Sequence, residues 1–272
     1  MSPFNAASKG KPKQVALPRD RELYWALRDW IYLIQAMQKC PTHVRELALC
    51  ADLPEDIVYH DASNEGVGGA WIATNGLFTP TVFRMEWPDE VRREVITWDN
   101  PHGKLTNSDL ETAGQLVSQL VREGLGPMRH RTTGALGDNT PTVARGRKWT
   151  SSCSQVAGRL LRALAMRRRV TQSGPFLTAN IAGVDNELGN VPSCSWGRFP
   201  SLRCTCASDT TFLAHFNDMF PLPQGTSWRM YHLPSKLGMH GISELLMRPL
   251  PLDVWLRLPK KGQSSGSNGH GI

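Results

Sequence analysis

Three carboxylates in this sequence sit where short polar turns interrupt apolar runs. Asp61 lies in "YHDAS", Glu111 in "TNSDLETAGQLV" and Asp138 in "GDNTPTV". Each has an ordinary structural explanation when taken alone. An Asp ahead of Ser-Asn-Glu-Gly forms turns readily. Ser108-x-x-Glu111 fits a capping box, with the glutamate reaching back to the cap amide. Asp138 before Asn-Thr-Pro fits another turn. Taken together the acids could do chemistry. Carboxylates that converge repel one another and hold raised pKa values unless a divalent cation neutralises them. Ligands that are all oxygen favour Mg²⁺ or Mn²⁺ over zinc. Two such ions roughly 3.5–4 Å apart can position a water and stabilise the leaving oxygen in phosphodiester hydrolysis.

Convergence requires particular elements. Ile57–His60, Val67–Ala73 and Thr81–Trp87 read as strands, the last alternating with Phe83, Met85 and Trp87 on one face, and together they imply an antiparallel meander. A helix follows over Ser108–Arg122, with Leu110, Ala113, Val117, Leu120 and Val121 on one side. Further strands fit Gly134–Asp138 and Phe176–Ala182, separated by a basic helix over Thr150–Arg168. Asp61 and Asp138 then end two strands, and Glu111 opens the helix between them. If the two strands are neighbours, the three acids share one sheet edge. Helices are also expected over Arg21–Gln38, Thr42–Leu49, 208–219 and 238–247, with a helical turn at 185–190. The glycines at 66, 68 and 69 precede a strand and lack a following GK[ST], so they fit a closely packed hairpin better than a phosphate loop.

Composition adds a partner class. The chain has 272 residues, 40% of them apolar, with a net charge of +7 and a pI near 9.3. Between Asp138 and Asp185 there is no acid, yet eight cations occur: Arg145, Arg147, Lys148, Arg159, Arg162, Arg167, Arg168 and Arg169. Such a segment suggests phosphate binding, with Arg159, Arg162 and Arg169 approximating one helical face. Six cysteines lack a CxxC pair and read as free or buried thiols in a reducing compartment. No apolar run is long enough for a membrane span, and the first twenty residues lack the apolar core of a secretory signal. An intracellular location, cytoplasmic or nuclear, is therefore expected.

These stretches resemble the ribonuclease H domain of retrotransposon reverse transcriptases. "HDASNEGVGGAW" is similar to the first-strand Asp and glycine hairpin of that family, "TNSDLETA" to its first-helix T-N-x-x-x-E signature, and "GDNTPTV" to the Asp ending its fourth strand. "IAGVDNELGNVPS" resembles its closing G-x-x-N-x-x-A-D-x-x-S-R. The flanks "LRDWIYLI" and "FLAHFNDMFPLPQGTSW" resemble segments bordering this domain in retroelements that encode a tyrosine recombinase. The resemblance implies an α/β fold with a ribonuclease H-like mixed five-stranded sheet, helices on both faces, and helical N- and C-terminal extensions. It implies a domain over 55–197, preceded by a basic tail (1–20) and a helical connection (21–54). A Pro/Trp-rich extension (198–259) and a second tail (260–272) would follow.

The implied activity is two-metal cleavage of RNA in RNA–DNA hybrids, with Mg²⁺ or Mn²⁺ as cofactor. The implied partners are the hybrid and the polymerase and recombinase portions of a parent polyprotein; no Y-x-D-D polymerase motif occurs in the chain. Carried over by position, Asp61, Glu111 and Asp138 are metal ligands and Asn190 holds the fourth catalytic position, where the family has Asp. Cys194 replaces the usual Arg, and Glu187 could share a helical face with Asn190. An impaired nuclease, a non-catalytic nucleic-acid-binding module and a decayed fragment are the competing expectations.

Overall fold

Strand β1 (Asp56–Ala62) carries buried side chains almost throughout, as a central strand covered on both faces must. The computed structural model describes residues 22–39, 53–196, 208–223, 225–233 and 239–250. The expected tails (1–20 and 260–272) and the helix at Thr42–Leu49 fall outside these residues. β1 pairs antiparallel with β2 (Gly66–Ala73), which pairs antiparallel with β3 (Thr81–Glu86), forming the expected meander. β4 (Thr133–Gly137) lies parallel to β1 on its other side, and β5 (Phe176–Asn180) lies parallel to β4. A two-residue strand β6 (Arg229–Met230) adds to β3, so the sheet has six strands in the order β5-β4-β1-β2-β3-β6, not five.

The helices in chain order are α1 (Glu22–Lys39), α2 (Asp89–Arg92), α3 (Asn107–Gly124), α4 (Thr140–Lys148), α5 (Gln155–Val170), α6 (Glu187–Cys194), α7 (Asp209–Met219) and α8 (Met239–Met247). They cover both faces. α3, α5 and α8 contribute Leu110, Leu116, Leu160, Leu164, Ile242 and Leu245 to a core with Val58, Trp71 and Phe83. On the other face Phe212 and Phe216 of α7 meet Ala70, Val82 and Trp228, beside Leu188 and Val191 of α6.

α3 is the central helix, buried from Asp109 to Arg122. It runs antiparallel to β1, since Glu111 stands beside the Asp61 end and Arg122 bonds Asp56 at the other. The lengths match: five strand steps and eleven helix steps both span roughly 17 Å. The Trp71 indole donates to the Ser118 carbonyl at 3.0 Å and fixes that register.

α6 lies on β2 because Gly68 has no side chain: a Cβ there would come within 2.5 Å of the Pro192 and Ser193 backbone. The glycine hairpin therefore serves close packing, as its sequence suggests. Arg84 of β3 ties this layer to the C-terminal segment. Its guanidinium lies 4.1 Å from the Trp196 ring and 4.4 Å from that of Phe212. It also bonds Asp209 at 2.7–2.8 Å and the Ser195 hydroxyl at 3.0 Å. No helix among the described residues is long and apolar enough to cross a membrane.

Candidate metal centre

Asp61 occupies the last turn of β1, where pairing with β2 holds its backbone opposite Gly68. Asp138 follows β4 directly. The next residue, Asn139, caps α4 by accepting from the Thr142 amide at 3.0 Å, which leaves the Asp138 carboxylate at the strand end. Glu111 comes from the opening of α3.

The capping question is settled by register. α3 starts two residues earlier than the Ser108 pattern requires, with Thr106 as its cap. Thr106 Oγ1 accepts from the Asp109 amide at 3.2 Å, and Asp109 Oδ2 accepts from the Thr106 amide at 3.0 Å. Asp109 thus closes the capping box, and Glu111 is free for another role. It is 2% exposed, and its Oε2 has no hydrogen-bond partner among the described residues.

The three acids converge. Asp61, Glu111 and Asp138 each offer an oxygen within 4.8 Å of the others. Burial holds the Glu111 carboxyl well above its ordinary range, with the charges of Asp61 and then Asp138 adding to the shift. Asp138 is raised too, again by burial first and Asp61 second. Among the described residues no cation pairs with this cluster in the way that Arg122 pairs with Asp56. An all-oxygen, buried, mutually repelling donor set suits a hard divalent ion, with the Glu111 carboxylate as one of its arms.

α6 closes the centre. The Ser193 hydroxyl donates to Asp61 Oδ2 in a short hydrogen bond. Asn190 lies one turn earlier, half-buried, and its Nδ2 donates to the Gly183 carbonyl at 2.7 Å. Gly183 borders Asp138; a Cβ there would sit 2.9 Å from Asp138 Oδ2. Glu187 is exposed and is not one of the gathered carboxylates, so it does not share the site. Burial pushes the Cys194 thiol up; Asp61 and Asp138 push it the same way more weakly. Cys153 and Cys194 are free thiols.

His60 and Gln115 escaped the sequence reading, while Ser193 and Asn186 stand in the closing stretch "IAGVDNELGNVPS" with no role assigned; the Asn186 amide donates to the His60 carbonyl at 3.0 Å. His60 adjoins Asp61 in sequence, and Gln115 follows Glu111 by four residues. Both spacings were visible, but a lone His or Gln in an apolar run carries no distinctive signal.

The basic segment requires a correction. Arg159 is buried, and its guanidinium donates to the Leu245 and Leu246 carbonyls at 3.1 Å, capping the end of α8. Arg162 pairs with Asp29 of α1 at 3.2 Å. Arg167 bonds Glu123, and Arg168 bonds Gln119 and the Gly174 and Pro175 carbonyls. Arg169 is half-buried. Arg159, Arg162 and Arg169 therefore do not make one open phosphate-binding face. Partners from distant elements use these cations, which a local charge count cannot register. In α4, Arg145 donates to the Ser108 carbonyl at 2.9 Å and Arg147 to that of Thr178 at 3.0 Å. Lys148 is exposed.

No protein-family model and no curated protein matches the chain. Among solved structures it is similar to an RNase H1 from the halophilic archaeon Halobacterium salinarum. Identity is 12% and the TM-score 0.34, over 50% of this chain and 91% of that one. It is also similar to the N-terminal RNase H domain of a Mycobacterium tuberculosis protein, fused to maltose-binding protein. There identity is 13% and the TM-score 0.31, over 50% of this chain and 94% of the other. These are distant likenesses.

Proposed function

We propose that this chain is a ribonuclease H-like phosphodiesterase of retroelement origin, acting on RNA–DNA hybrids and impaired at one ligand position. The observation that carries the reading is the meeting of Asp61, Glu111 and Asp138 from β1, α3 and the end of β4. Bound Mg²⁺ or Mn²⁺ would supply a polarised water and a counter-charge for the leaving oxygen. The chain's own part is to hold three carboxylates rigidly at one sheet edge, with Ser193 orienting Asp61 and with α6 screening the cluster. Asn190 takes the fourth position. An amide oxygen there lacks the charge of a carboxylate, and a contact between unit charges is worth on the order of 4 kcal/mol at an effective dielectric near 20. Desolvation offsets part of that, so slow turnover is the expected consequence.

A second reading, a binding module that does not cut, draws on Asn190 itself. Its side-chain Nδ2 is already engaged with the Gly183 carbonyl, which makes it a poor stand-in for an anionic ligand. Arg147 and Lys148 are the exposed cations of α4 that phosphate contact could use in either reading.

Cleavage of a labelled RNA–DNA hybrid with Mg²⁺ or Mn²⁺ tests both, using the chain and its Asn190→Asp variant. The nuclease reading expects the variant to cut at least roughly 10²-fold faster, equivalent to about 2.7 kcal/mol. Hybrid binding with no cutting by either protein would support the binding module and end the nuclease reading.

A further inference from the structure

Behind Glu111, away from Asp61, the interior holds polar groups that the metal centre does not explain. β1 alternates, so His60 faces α3 while Asp61 faces the opposite way. His60 Nδ1 stands 4.0 Å from Glu111 Oε2, too far for a direct hydrogen bond and close enough for one shared water. Both ring nitrogens of His60 lack a hydrogen-bond partner among the described residues, as does Glu111 Oε2. One turn along α3, both amide atoms of Gln115 are unpartnered as well. All three side chains are 2% exposed or less. Five unpaired polar atoms lie on three buried residues, two of them 4.0 Å apart and the third a helical turn along α3, and folded proteins rarely leave such groups without an internal ligand.

We infer that His60 and Gln115 hold ordered water against the rear oxygen of Glu111, and that this hydrated pocket sets the orientation of the carboxylate at the metal centre. The chemistry fits. An imidazole carries at least one N–H donor in any tautomer. Gln115 brings a carbonyl acceptor and an amide donor. A buried water needs two to four polar partners, and this cluster supplies them. Apolar groups would have filled the same space at lower cost, since Gly114 and Gly137 already bring backbone against the imidazole. His60 and Gln115 are therefore positioning residues that act through Glu111.

The positioning role rests on the metal-centre reading above; the hydration does not. Two measurements separate them. A high-resolution crystal structure of the metal-free chain should show water within hydrogen-bond distance of both His60 Nδ1 and Glu111 Oε2. Mn²⁺ titration followed by electron paramagnetic resonance should then show His60→Phe binding the ion roughly 10- to 100-fold more weakly than the parent, the usual range for groups that orient a ligand. His60→Asn, which keeps a hydrogen-bonding group, should recover most of that loss. Gln115→Leu provides the same comparison if His60→Phe does not fold. Unchanged Mn²⁺ affinity in a folded His60→Phe or Gln115→Leu protein would overturn the positioning role. A dry pocket in the crystal would overturn the inference entirely. A parent chain that binds no Mn²⁺ would end the metal-centre reading and the positioning role, leaving the density to decide the hydration.

Discussion

Strand β1 carries a buried aspartate near each end, and the two are treated in opposite ways. Asp56 is fully buried between guanidiniums: Arg122 reaches Oδ2 at 2.7–2.8 Å, and Arg131 reaches Oδ1 at 2.6 Å and Oδ2 at 2.9 Å. Five residues on, Asp61 meets two more carboxylates and a serine hydroxyl. α3 contributes to both ends, a cation to one and an anion to the other. Where the fold needs only a folded strand, it neutralises the buried charge from within. At the Asp61 end it gathers like charges, and among the described residues no cation pairs with them. That asymmetry, rather than any of the three acids alone, is what the proposed metal centre rests on.

Breaking the neutralised end should have the largest effect. Asp56→Ala strands the Arg122 guanidinium in the interior and should cost about 3–5 kcal/mol of stability, read from urea denaturation. At the other end, Mn²⁺ at a hundred times its Kd should add roughly 2.7 kcal/mol to the parent. It should add little to Asp61→Asn, and thermal melts with and without the ion would show the difference. Glu111→Gln should stabilise the metal-free chain at pH values above the ordinary carboxylate range, where the parent holds a buried charge, as the same thermal melts would show.

The same contrast gives a pH dependence. Glu111 is raised above its ordinary value of 4.5, and Asp138 is raised above 3.8. The folded chain therefore holds protons that the unfolded chain releases. Metal-free stability should be least penalised below the ordinary carboxylate range, and it should fall as pH climbs through the raised values. Glu111→Gln should flatten most of that slope in melts taken across pH 4–9. The smallest effect belongs to Lys104→Ala, which removes an exposed pair with Glu94 and should cost under about 1 kcal/mol.

Much of this was legible in the sequence. Period-two and helical patterns located β1 to β5, α1, α3, α7 and α8 to within a few residues, and the acids stood at the ends of those patterns. α4 was missed because Asn139-Thr-Pro141 reads as a turn, although a capping Asn followed by Pro also opens a helix. β6 is too short to show a period. Thr106-x-x-Asp109 and Ser108-x-x-Glu111 both fit a capping box, and only the helix register separates them. The cations of α5 misled for a different reason. Their partners, Asp29, Glu123 and the Leu245 and Leu246 carbonyls, lie dozens of residues away, and sequence spacing does not record them.

One guanidinium has a consequence for any attempt to shorten this chain. Arg84 joins Trp196, just past the end of α6, to Phe212 and Asp209 of α7. Trimming the chain after Ser195 would remove both rings and the counter-ion at once, and would uncover Ala70 and Val82. The helix bearing Ser193 and Asn190 would then be a lever with its fulcrum gone. What looks like an appendage is the buttress that keeps it still.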